Sequence, residues 1–146
     1  GMVSWLLEAG ANTEARDEYQ RTPLFLAAVA GKTETVGQLI RAGADPLPGD
    51  RRGSVAHVLV HHSDLTMLEW YLRRFGDDVL IPDSSGETPL GEAAKLGRAE
   101  ALELFLEAGV ISEEITNDGL TLNELALRSE DARTIELAKQ IVKSAR

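Results

Sequence analysis

The sequence predicts an all-α repeat protein, a solenoid of helix-turn-helix units joined by extended, hairpin-like loops. Three observations predict it. Gly10, Gly43, Gly76 and Gly109 stand 33 residues apart, and a strict period of that length marks a small supersecondary unit stacked on its neighbours. Each glycine closes a segment with apolar residues at i, i+3 and i+4, the spacing of one helix face. About a dozen residues upstream of two of these faces lies a shorter pattern opened by Thr-Pro and closed by glycine.

The long segments read Val3–Gly10, Val36–Gly43, Leu68–Gly76 and Leu102–Gly109. A glycine just past the last apolar residue caps a helix, because it enters the left-handed conformation without a Cβ clash. The third segment keeps its face through Leu68, Tyr71 and Leu72 but carries one extra residue before Gly76. In the short segments Thr22 and Thr88 are candidate N-caps. Pro23 and Pro89 follow at the first helical position, where a missing N–H costs nothing. Ala27, Ala28, Ala93 and Ala94 are small enough for neighbouring helices to approach closely, and Gly31 and Gly97 end the helices.

Thr22-Pro23-Leu24, Ala27-Ala28, Gly31 and Gly43-Ala44-Asp45 resemble the ankyrin repeat, as do Thr88-Pro89-Leu90, Ala93-Ala94, Gly97 and Gly109. The resemblance covers almost the whole chain. By phase it divides the chain into a truncated unit (1–16), a full one (17–49), a diverged one (50–82), a second full one (83–115) and a polar C-terminal cap (116–146). In the diverged unit Ser54 and Val55 replace Thr-Pro, and His57 takes the position where the family places a hydrogen-bonding histidine. In the last unit Thr121 keeps the phase, with Leu122 and Asn123 after it. A polar outer face at the end of the array suits a solenoid terminus. At the front, Val3, Trp5, Leu6 and Leu7 form an apolar helix with no partner before it. The chain is therefore read as a segment of a longer protein, with a natural start at Met2 as the alternative.

Composition excludes several function classes. The net charge of −9 argues against general affinity for nucleic acid or anionic membrane. No apolar run approaches the roughly 20 residues of a bilayer span. Cysteine is absent, which removes disulfides and thiolate metal sites and agrees with an intracellular, cytoplasmic or nuclear setting. No cofactor is expected. Serines such as Ser54, Ser84 and Ser85 fall in caps and loop tips without a positioned base, so no catalysis is expected. His57, His61 and His62 cluster with Asp64 close by, and His57 and His61 share a helix face at i, i+4, as two zinc ligands would; the alternative gives His57 the structural role. Trp5 and Trp70 share one phase and are assigned to packing between neighbouring second helices.

The resemblance implies a non-catalytic protein-interaction module, whose partner contacts loop tips and the groove positions of the first helices. The implied tip positions are Glu18, Tyr19, Arg21, Arg51, Arg52, Ser84, Ser85, Glu87, Asp118 and Leu120. The groove positions are Val29, Ala30, His61, His62, Lys95, Leu96, Arg128 and Ser129. These groove positions contain no acid, whereas second helices carry Glu8, Glu34, Glu69, Glu100, Glu103, Glu107 and Glu136. The expected partner is accordingly a protein segment with acidic and apolar residues, anchored by Tyr19, with pH dependence from His61 and His62. The chain is expected to be a monomer, with association through the apolar front helix as an alternative. A different class of reading makes the array a structural spacer docked on another domain of its own chain.

Overall fold

The computed structural model describes residues 14–47, 53–62, 64–111, 116–117 and 119–145. Among them, α-helices fall into four pairs: α1 (Pro23–Val29) with α2 (Thr33–Arg41), α3 (Val55–Leu59) with α4 (Thr66–Phe75), α5 (Pro89–Lys95) with α6 (Ala99–Ala108), and α7 (Leu122–Arg128) with α8 (Ala132–Ala145). First helices pack in a row, α1 on α3, α3 on α5 and α5 on α7; α4, α6 and α8 form a second row. The all-α repeat architecture is as the periodicity requires.

The capping hydroxyls start each first helix. Thr22 Oγ1 accepts from the Phe25 N–H at 3.1 Å, Thr88 Oγ1 from Gly91 at 3.4 Å and Thr121 Oγ1 from Glu124 at 3.2 Å. Ser54 Oγ does the same for the His57 N–H at 3.4 Å. Each cap satisfies a donor that has no partner within the helix. The α1–α2 and α5–α6 turns each pass through a left-handed residue, Gly31 at φ 74° and Gly97 at φ 71°. Glu130 stands at the same phase in the last pair and adopts φ 59° without glycine's freedom.

The core runs unbroken along the stack. Leu24, Leu59, Leu90, Leu102, Phe105, Leu122 and Ile141 are fully buried, each contributing about 1.5–3 kcal/mol over an exposed position. Tyr71 is buried as well, and its O–H donates to the Pro46 carbonyl at 2.9 Å, tying α4 to the segment after α2. After the extra residue of the third segment, a 3₁₀ turn at Gly76–Val79 succeeds α4. Trp70 is half-buried, and its ring meets Tyr71 and Phe75 edge-on at centroid distances of 5.5 and 6.0 Å. The apolar front helix and Trp5 lie outside the described residues.

Between the helix pairs the chain forms hairpin fingers. The Asp17 N–H donates to the Arg21 carbonyl, Asp83 to Glu87 and Thr116 to Leu120, at 2.9 to 3.1 Å. The Asp17 and Asp83 carboxylates fold back onto backbone N–H groups two and four residues on, the local bonding that makes aspartate a turn former. Two fingers are joined directly: the Asn117 N–H donates to the Ser85 carbonyl at 2.8 Å and its Nδ2 to the Ser84 carbonyl at 3.0 Å.

Candidate functional site

The first-helix row leaves side chains unused by packing. Leu26 and Leu96 are 44% and 42% exposed, whereas Leu127, 59% exposed, stands at the phase of the fully buried Ala28, Val60 and Ala94 and so belongs to the stacking face. Val29 is half-buried beside them and Ala30 is exposed. A helix buries only the stripe that faces its neighbours, so apolar residues on the opposite side add nothing to the stack. An open hollow of about 280 Å³ lies between the first two helix pairs, lined by Val29, Ala30, Thr33, His62, Asp64 and Met67.

The tips divide by surroundings. Tyr19 is 53% exposed, and the Arg21 guanidinium lies 4.8 Å from the centre of its ring while pairing with Asp17 at 2.7 Å. Glu18, Ser84 and Ser85 are exposed. Ser85 Oγ donates to the Asp83 carboxylate at 2.6 Å. Leu120 is half-buried against the core rather than standing at a free tip. Arg51, Arg52 and Asp118 lie outside the described residues.

Glu87 requires a correction. Expected at an exposed tip, it is 5% exposed. Lys95 Nζ lies 3.0 Å from its Oε1 and 3.4 Å from Glu92 Oε2, and His61 Nε2 lies 3.0 Å from Glu92 Oε1. Burial, together with the hydrogen bond from its carboxyl group to Glu92, pushes Glu87 up to about 7. Burial opposes ionisation of Glu92 too, but the Glu87 hydrogen bond, Lys95 and His61 hold that carboxylate below its ordinary value. The basic character expected of this face is therefore matched by acid at its centre. Arg128 is exposed and makes no ion pair among the described residues.

His57 is structural. The Ser54 N–H donates to its Nδ1 at 3.0 Å, which fixes the other ring nitrogen as the donor, and Nε2–H reaches the Glu87 carbonyl at 2.6 Å. With both nitrogens engaged, the His57–His61 pair does not form a metal site. His62 is half-buried, and its carbonyl accepts from the Arg98 guanidinium, which also donates to the Val60 carbonyl at 3.0 Å. Ser129 closes the last turn, donating to the Ala126 carbonyl at 2.6 Å.

Sequence reasoning missed Leu26, Glu92 and Arg98. Glu92 was legible in principle: it precedes Lys95 by one helical turn and so shares its face. Leu26 falls at the phase of Glu92 in the first pair.

Helix pairs stacked in phase, with fingers between them and a first-helix face not consumed by the core, define a helical-repeat scaffold. The family model described as Ankyrin repeat matches residues 19–51. The chain is 30% identical over 131 residues to the E3 ubiquitin-protein ligase XB3 of Oryza sativa subsp. japonica, covering 79% of this chain and 28% of that protein. It is 28% identical over 102 residues to the transient receptor potential cation channel subfamily A member 1 homolog of Caenorhabditis elegans, covering 70% of this chain and 8% of the channel protein. With the ankyrin repeat domain-containing protein 37 of Xenopus tropicalis it shares 35% over 86 residues, 58% of this chain and 52% of that one. The chain belongs to the ankyrin repeat family. It spans only 8% and 28% of the first two relatives. Ankyrin repeats are generally protein–protein interaction modules without catalysis of their own. Among the described residues no helix is long and apolar enough to cross a membrane.

Proposed function

We propose that this chain grips a protein segment along the groove face of its first helices, with the finger tips closing one side. The observation that carries this is the pair of exposed apolar residues Leu26 and Leu96 on the outer side of the first-helix row, whose inner side is buried. Exposed leucines contribute nothing to the stack, and an apolar strip rimmed by polar tips is the composition of a protein-binding surface. Tyr19, held flat by Arg21, is the aromatic anchor at one end.

The partner segment is apolar with acidic side chains. Leucines take the apolar part. Arg128 attracts the acidic part, steering encounter and register more than affinity. Lys95 joins it only when released from Glu87. The units 17–49, 50–82, 83–115 and 116–146 are the proposed building blocks of this surface.

Selection of binders from a random peptide library tests the proposal. Peptides taken by the wild type should lose at least about tenfold in affinity, roughly 1.4 kcal/mol, against Leu26→Asp/Leu96→Asp. Undiminished binding to that folded double variant would remove the groove from the account.

A further inference from the structure

Glu87 is a buried carboxyl group placed where the stack gains nothing from it. Its phase-equivalents immediately before the capping residue are Arg21, Gly53 and Leu120, so the finger does not need an acid there. Around it stand Glu92 and Lys95 from α5, with His61, just past α3, on the far side of Glu92. The His57 ring holds its carbonyl and the Asp83 carboxylate its N–H. Glu124 and Arg128, the charged residues of the packed helix α7, form no ion pair with it among the described residues; the Glu124 carboxylate accepts from Thr121 Oγ1.

This is two carboxyl groups for one ammonium. With both ionised, Glu87, Glu92 and Lys95 sum to −1; with one proton held between the carboxyls they sum to zero. Two adjoining carboxyls in a confined space share a proton readily, because the second negative charge meets both the first and the loss of water. The exposed members are Lys95 and His61, while the Glu87 and Glu92 side chains keep only 7% and 15% exposure. A partner on this face thus meets the cation of the cluster before its carboxylates.

We propose that the Glu87–Glu92 carboxyl pair beneath Lys95 is a proton-binding site that sets the charge of the groove, so that an acidic side chain of the partner docks on Lys95 most tightly when the pair holds its proton. With the proton in place the pair no longer needs the ammonium, and Lys95 Nζ is free to meet the partner carboxylate; above the midpoint, docking must first take that proton up from solvent. The docking half rests on the groove reading above; the proton site does not. Tight binding then belongs to the more acidic side of neutrality, and the affinity of an acidic segment falls as pH rises.

The test has two arms. In the free protein, carboxyl NMR of carbon-13-labelled glutamate should show a midpoint near 7, absent in Glu87→Gln. Glutamate midpoints all in the ordinary range near 4.3 would overturn the site, and this wild-type measurement stands even if the variant fails to fold. In the second arm, a library-selected peptide containing glutamate is compared with its glutamine version. The glutamate peptide should bind the wild type several-fold more tightly at about pH 6 than at about pH 8, a difference the glutamine version and Glu87→Gln each abolish. A near-neutral midpoint with pH-independent peptide binding would overturn the coupling and leave the proton site. Peptides bound away from the first helices would overturn the groove reading, again without touching the proton site.

Discussion

The His57 imidazole spans two repeats, its Nε2–H donating to the Glu87 main-chain carbonyl at 2.6 Å while Nδ1 accepts from the Ser54 N–H. It therefore acts as both a helix cap and a rivet between α3 and the next finger. His57→Ala leaves a buried N–H and a buried carbonyl without partners and opens a cavity. Expected destabilisation is about 2–4 kcal/mol by urea titration. A loss below about 0.5 kcal/mol would show that the bridge is dispensable.

Asn123 occupies the position held by Leu24 in α1 and Leu90 in α5, both fully buried. Its Oδ1 is buried without a hydrogen-bond partner. Asn123→Leu should raise stability by about 1–2 kcal/mol, because an unsatisfied polar atom is replaced by apolar burial. A lower denaturation midpoint in the variant would contradict this.

Glu130 sits at φ 59° where the α1–α2 and α5–α6 turns use Gly31 and Gly97. Left-handed backbone costs a non-glycine residue about 1–2 kcal/mol, partly offset by the extra freedom glycine gives the unfolded chain. Glu130→Gly should be more stable by about 0.5–1 kcal/mol in the same titration, and a destabilised variant would contradict the assigned strain.

Stability should pass through a maximum on the acid side of neutrality. Burial and the Glu92 hydrogen bond raise Glu87 above its unfolded value to about 7, so its contribution is full at low pH and lost as pH rises through that value. Asp17, Asp64 and Asp131 move the other way, lowered first by hydrogen bonds from Arg21, Thr66 and Thr134. Their contributions are present above the ordinary aspartate range and lost as pH falls below it. Thermal melts across pH should therefore decline on both sides, with the alkaline decline absent in Glu87→Gln; a wild-type melting temperature constant from about pH 6 to about pH 8 would contradict the Glu87 assignment.

The stack was legible because its determinants are local. Thr22, Thr88 and Thr121 cap their own helices, and Gly31 and Gly97 turn their own loops. The electrostatics of the face were not, because they depend on which units touch. Nothing in the phase of Glu87 distinguishes it from half-exposed Arg21; only His57 and Lys95, reaching it from either side, make it interior. Likewise His61 and Lys95 look like free bases until Glu92 is placed between them.

The central claim is that the partner lies on the first helices. Amide chemical-shift mapping with a library-selected peptide tests it most directly. Shifts concentrated at Tyr19, Leu26, Val29, His61, Leu96 and Arg128 are the predicted result. Shifts concentrated on the second helices, at Glu34, Glu100 and Glu136, would contradict it.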